Sequence, residues 1–422
     1  MENQQKGGNV AAIATMFALF FMIAFVTNFA GSMGVIVKEQ FKASNTLSQL
    51  GSAANFFAYL FMGIPGGLIL RRKGYKFTAL AAVAVGFAGV GVQLLSGYVG
   101  SFGVYVAGAF IAGFSMCMLN LVVNPMLNTL GGEGKKGNQL VQIGCSLNSV
   151  GATLAPIILG ILIGKITPKT AVSDAAPALM AAMGLFALAF VIVASSKIPE
   201  PHMETAEEKQ ARLSGQTSVM KDIVETLKFR HFSFGALCIF FYIIIECGIP
   251  NMANHYMTQQ GQPWYVGATV AGGVVGAYWF CMMIGRIVGG AIGGKISSKV
   301  MITCCSVVAI ALLFAAMYLP VKMITVFGKQ FPLSMGLVAL SGLCTSVMWG
   351  GIFNLAAEGL GKYVPMGSGI FMCMVFGGVC LPLQGMIADA VGILNSYWLT
   401  IALLAYVLLY AHVLSKPTKK VA

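Results

Sequence analysis

The sequence predicts an all-α membrane protein of twelve transmembrane helices arranged as two pseudo-symmetric six-helix bundles. Three observations predict it. Hydrophobic residues make up 58% of the chain and charged residues only 9%, with mean hydropathy +0.83, whereas soluble domains carry about 25% charged residues. Apolar runs of about 20 residues, the length a helix needs to cross the hydrocarbon core, recur along the whole chain. The two halves also repeat one another's motifs.

The runs place spans at 11–36, 46–70, 77–97, 102–130, 139–163, 176–196, 232–258, 264–294, 298–319, 332–357, 366–389 and 394–415, hereafter spans 1 to 12. Barrel strands would show roughly ten-residue alternation instead. The first run is long enough to be a span and lacks a cleavage site, so no cleaved signal peptide is expected. Basic residues are retained on the cytoplasmic side of a membrane. The "RRKGYK" loop after span 2, Lys135 and Lys136 after span 4, and Lys295, Lys299, Lys362, Lys416, Lys419 and Lys420 all fall on one side. The opposite loops hold Lys38, Lys42, Lys165, Lys169, Lys322 and Lys329. Both termini are therefore expected in the cytoplasm, with the protein a multi-pass component of the plasma (inner) membrane. This topology accounts for the net charge of +13 and leaves no call for a nucleic-acid partner.

One long polar stretch, "KIPEPHMETAEEKQARLSGQTSVMKDIVETLKFRHF", separates the halves. The expected organisation is a first bundle over 1–196, a cytoplasmic linker over 197–231 containing a short surface helix, and a second bundle over 232–422. "GIPGGLILRRKGYK" ending span 2 is answered by "RIVGGAIGGKISSK" ending span 8, and "GATLAPIILG" in span 5 by "GGVCLPLQGM" in span 11. Parallel repeats of this kind imply a binding site between the halves near mid-membrane, exposed alternately to each side by rocking. The glycines in these spans let helices approach closely. All ten cysteines fall within predicted spans, as small packing residues, with no disulfide or zinc spacing.

An acid near the bilayer centre costs about 2.5 to 3.5 kcal/mol on insertion scales, so it normally faces a cavity or a partner. Glu246, inside "FFYIIIECGIPNMANHYM", lies some 14 residues into span 7 and is the expected cation-coupling group, for a proton or a sodium ion. The competing reading is an acid held neutral and hydrogen-bonded for structure. Gly248 and Pro250 are expected to break the helix and free backbone carbonyls. Glu358, near the inner end of span 10, and Arg286, in the inner part of span 8, are expected to pair as a structural or gating latch.

Amides cluster at comparable depth: Asn28, Asn120, Asn124, Gln142, Asn148, Asn251, Asn254, Asn354 and Gln384. Each offers donors and acceptors, as a neutral polyhydroxylated ligand requires, and Tyr242 and Trp349 add flat surfaces for a sugar ring. Singly, an intramembrane Asn often serves as interhelical glue. Apart from Arg286 there is no basic cluster at this depth for a phosphate or carboxylate substrate. Phosphate-loop, H-E-x-x-H and nucleophile–base patterns are all missing from the sequence, so neither an enzyme nor an ATP-driven pump is expected, and no cofactor.

These residues carry a resemblance. "VVNPMLNTLGGEG", "QLVQIGCSLNSVGATLAP", "FYIIIECG", "IFNLAAEGLGKYVPMGSG" and "GMIADAVG" resemble the major facilitator superfamily, and within it the fucose-galactose-glucose:proton symporters, in particular their glucose/galactose branch. The resemblance spans nearly the whole chain and implies the major facilitator fold and a monomer. It implies import of a neutral monosaccharide, a hexose such as glucose, galactose or a related sugar, by symport; an uncoupled facilitator is the alternative. It assigns Asn148 to the sugar site. The acids that couple protons in fucose symporters are matched here by Gly31 and Asn120, which shifts coupling to Glu246, while Pro250 and His255 depart from the span-7 pattern.

Overall fold

The computed structural model describes residues 10–25, 50–132, 134–163, 172, 175–214, 218–259, 261–266 and 268–417. Helix underlies all twelve expected spans, and among the described residues nine helices are long and apolar enough to cross a membrane by length and composition. Span 1 is described as Val10–Phe25. Spans 2 and 3 form one helical run, Leu50–Val99, bent at Gly74 (φ 85°, ψ 176°). Spans 4 to 9 follow as Phe102–Leu130, Gly134–Ile163, Ala176–Ser195, Arg230–Met257, Ala268–Ile292 and Ser298–Tyr318.

The last three spans are less regular. Span 10 is split into Leu333–Thr345 and Met348–Ala357. Span 11 runs Val364–Cys373, tightens to a 3-10 stretch over Met374–Cys380, then resumes as Leu381–Val391. Span 12 ends in a π turn, Tyr410–Leu414. A feature with no counterpart in the expected pattern is the hairpin Met323–Val326/Lys329–Pro332 between spans 9 and 10, turning through Phe327 (φ 48°) and Gly328 (φ 73°). Its strands are too short and too mixed in character to stand out from a loop by alternation.

The linker folds as two short helices, Ala206–Leu213 and Val219–Leu227, rather than one. Thr205 and Glu208 form a reciprocal capping box on the first. Both helices lie against the turn between spans 2 and 3, where Arg71 binds Asp222 (2.5 Å) and Glu208 (3.5 Å), and Glu208 also reaches Lys362 between spans 10 and 11 (3.8 Å). The turn itself needs a glycine. A Cβ on Gly74 would strike the carboxylate of Glu200, which accepts hydrogen bonds from the Tyr75 and Lys76 backbone N–H groups opening span 3. The Tyr75 hydroxyl meets His202 Nδ1 at 2.7 Å.

The two halves meet along four seams on this linker side. Span 2 crosses span 11, where a Cβ on Gly67 would sit 2.6 Å from the Pro365 carbonyl oxygen and one on Gly63 2.5 Å from that of Gly369. Span 5 packs against span 8 and against span 10. Asn354 donates to Asn128 Oδ1 (2.6 Å), tying span 10 to span 4. In this conformation the molecule is shut on the linker side.

Candidate functional site

Span 7 supplies the central acid. Helix continues through Gly248 and Pro250, so the expected break does not occur. Proline has no N–H, which leaves the carbonyl four residues earlier without its helical donor. That carbonyl belongs to Glu246, and the hydroxyl of Tyr278 on span 8 donates to it at 3.2 Å. Pro250 thus frees one carbonyl, as its position implies, and a tyrosine fills it. Tyr397 also donates to a span 7 carbonyl, that of Ile249 (3.0 Å).

The Glu246 side chain, 12% exposed, accepts from Arg286 Nη2 at 3.0 Å. Arg286 is 11% exposed, and its Nη1 donates to Ser149 Oγ on span 5 at 2.8 Å. The pairing expected between Arg286 and Glu358 is therefore corrected: Arg286 belongs to Glu246, and Glu358 contributes its backbone carbonyl to His231 Nε2 (2.8 Å). Two opposite charges at this depth neutralise one another, and either alone would carry several kcal/mol of desolvation. Among the described residues Arg286 Nε has no hydrogen-bond partner.

A chain of polar groups approaches this pair from the first half. Asn120 and Asn124 are one turn apart on span 4 and share a face. Asn120 Nδ2 donates to the Tyr59 hydroxyl on span 2 (3.1 Å), Asn124 Nδ2 donates to Asn120 Oδ1 (3.2 Å), and Trp349 Nε1 on span 10 donates to Asn124 Oδ1 (3.3 Å). The Trp349 ring lies 6.4 Å from that of Tyr242, which is one turn before Glu246 on span 7. Seven residues from five spans thus form one continuous path from Tyr59 to Arg286, the eighth being Ser149 across the seam.

The remaining sequence candidates separate by location. Gln142 and Asn354 are turned into the seams: Gln142 Nε2 donates to the Val347 carbonyl beside the split in span 10 (2.9 Å), which also accepts from the Gly351 N–H, and Asn354 binds Asn128 and Ser298. Asn148 donates to the Phe20 carbonyl of span 1 (3.1 Å). Gln384 donates to Thr400 (3.1 Å), while its Oε1 lies over Gly248 without a partner among the described residues. Asn251 is half-buried and Asn254 exposed, both beyond Glu246 toward the hairpin side. Asn28 and Gly31 lie outside the described residues. Among the described residues, no group of three or more His, Cys, Asp or Glu side chains could hold a metal ion.

Sequence reasoning did not single out Tyr59, Ser149 or Tyr278. Ser149 adjoins Asn148 in "LNSVG" and follows it by position alone. Tyr59 and Tyr278 carry no signal in single-sequence form, because a tyrosine in an apolar span is ordinarily packing.

The family model of the Major Facilitator Superfamily matches residues 15–381. The chain belongs to that superfamily. Its fold, in consequence, is the multi-pass transporter fold that composition foretold. The glucose/galactose transporter of Brucella abortus is 28% identical over 412 residues, covering 96% of this chain and 94% of that protein. A putative glucose/galactose transporter of Helicobacter pylori is 27% identical, covering 96% and 97%. The L-fucose-proton symporter of Escherichia coli is 22% identical, covering 92% and 89%. Among solved structures, the transporter FucP in its outward conformation superposes with TM-score 0.84 at 18% identity, over 97% of this chain and 100% of FucP. The proton:xylose symporter XylE superposes with TM-score 0.69 at 14% identity, covering 97% and 96%.

Proposed function

We propose that this major facilitator imports a neutral monosaccharide, a hexose, by symport with a proton, through alternating access between bundles 1–196 and 232–422. The observation that carries the reading is the buried Glu246–Arg286 pair, placed beside the polar path from Tyr59 to Trp349 where both halves meet. The relatives named for glucose, galactose and fucose transport support the substrate class. Asn120, Asn124 and Tyr59 supply alternating donors and acceptors for sugar hydroxyls, with Asn148, Gln384, Asn251 and Asn254 bordering the same region. Trp349 and Tyr242 supply the apolar surface for a ring face. Gln142 and Asn354 act in closure.

Proton is favoured over sodium by Arg286. A second cation brought within about 4 Å of the guanidinium is repelled by about 4 kcal/mol at an effective dielectric of about 20. A proton on Glu246 instead bonds covalently to an oxygen. The linker side is read as cytoplasmic from the positions of Lys and Arg, the membrane as the inner membrane, and the active unit as a monomer. On that orientation the closed linker side makes this the outward-facing conformation.

A second reading, an uncoupled facilitator, is favoured by one observation: Glu246 already has a counter-ion and needs no transported cation to be stable. Radiolabelled hexose uptake into proteoliposomes, with pH and sodium gradients imposed separately, distinguishes the two. Accumulation driven by the pH gradient and abolished by Glu246→Gln is expected. Equilibration without accumulation under either gradient establishes the facilitator, and accumulation driven by sodium alone overturns the proton.

A further inference from the structure

The seam between spans 5 and 8 is built from glycine backbone. Cβ atoms on Gly290, Gly293 and Gly294 would meet Ile143 and Gln139 at 3.0, 3.2 and 2.6 Å. Farther up, Thr153 contacts Met283 at 3.9 Å. Between these lies Arg286 on Ser149, and Arg286 is the one charged residue in 139–163 and 268–294. The same guanidinium holds Glu246 in its own half. One side chain therefore touches the acid with one nitrogen and the opposite half with another.

Resting on the symport reading, we propose that Arg286 is a charge-controlled clasp, and Ser149 its catch, through which the proton on Glu246 decides whether the linker-side seam stays shut. With Glu246 ionised, the guanidinium is neutralised and aimed at Ser149. When a proton from the cavity bonds to the carboxylate, the ion pair is lost and a lone cation is left in a buried seam, its Nε already without a partner among the described residues. An unpaired buried charge is far more costly in the closed seam than in one open to water. Proton loading therefore favours linker-side opening, and release of the proton restores the pair and the closure.

The groups facing Glu246 leave this role to Arg286. From span 8 they are Arg286 and the Tyr278 hydroxyl, the latter engaged with the Glu246 carbonyl and Thr345. From span 5 there is Cys145, and from span 7 itself Tyr242 and Cys247. None of these neutral groups replaces a counter-ion.

Hydrogen–deuterium exchange of the full chain in lipid nanodiscs at one neutral pH tests the clasp without any sugar. Glu246→Gln, a standing mimic of the protonated acid, is expected to speed exchange in 138–146 and 287–296 by about threefold or more while other spans keep wild-type rates. The double variant Glu246→Gln/Arg286→Met removes the stranded cation and is expected to restore protection in both segments. Ser149→Ala, which deletes one hydroxyl, is expected to speed exchange in the same two segments. Unchanged exchange in Glu246→Gln, or opening that the double variant does not reverse, overturns the clasp; if Glu246→Gln loosens the whole chain, unchanged exchange in Ser149→Ala overturns it instead. Hexose counterflow by wild type, which needs no gradient, reports separately on the transport reading.

Discussion

Trp349 joins the two halves by two kinds of contact. Its indole N–H donates to Asn124, and its ring faces Tyr242 at 6.4 Å and Phe371 at 6.0 Å. Trp349→Phe keeps most of the apolar surface and deletes the donor, leaving Asn124 Oδ1 short of a bond. The loss of one such bond, about 1 kcal/mol, is expected to raise KM for the sugar about fivefold with kcat nearly unchanged, measured by initial uptake rates. Residues of this kind were legible in the sequence by depth. Counting along span 7 placed Glu246 at mid-membrane, and the amides of span 4 followed in the same way. Their partners were not legible, because a span apolar on every face gives no clue to which way a side chain points. Arg286 was for that reason matched with Glu358 rather than with Glu246. Tyr59 and Ser149 matter through what they touch, and touching is a tertiary fact.

At the scale of elements, the linker side of spans 2 and 3 is fastened by a loop distant in sequence. Glu200 supplies the carboxylate that helix N-termini favour, satisfying the Tyr75 and Lys76 N–H groups and facing the positive end of the span 3 dipole. Glu200→Ala is expected to lower thermal stability by about 1–2 kcal/mol without removing the span. His202 adds a pH dependence. Burial depresses its pKa from 6.5 to about 4, so it is neutral at physiological pH and able to accept from the Tyr75 hydroxyl. Since the folded pKa lies below the unfolded one, this contribution is intact above pH 6.5 and is lost as pH falls from there toward 4. The shift sets an upper bound of about 3 kcal/mol. Melting temperatures of wild type and His202→Gln should therefore converge on acidification through this window, with wild type falling faster. The charge pattern "RRKGYK" marked the turn in the sequence, and the polar linker was read as holding a short surface helix, but the carboxylate cap from a loop more than a hundred residues away could not be read locally.

For the whole molecule, closure of the linker side rests on backbones that touch. A Cβ on Gly63 would lie 2.5 Å from the Gly369 carbonyl oxygen, so Gly63→Val is expected to hold spans 2 and 11 apart. Net uptake should then fall by about tenfold or more while the protein remains monodisperse, because a transporter that cannot close one side cannot complete a cycle. Composition and run length sufficed to read the architecture and its repeat. The hairpin between spans 9 and 10 escaped notice because two four-residue strands leave almost no periodic trace.

The glycine seams have one more consequence. Where glycines form one wall of a seam, that wall presents no side chains of its own to interlock with the other, so parting it exacts less repacking and works as a bearing rather than a lock. The fraction of molecules closed then depends on a handful of polar ties, Gln142 to Val347, Asn354 to Asn128 and Arg286 to Ser149. Each is worth about 1 kcal/mol, a factor of about five in population. Such a transporter can be retuned between resting states one hydroxyl or one amide at a time, with its architecture untouched.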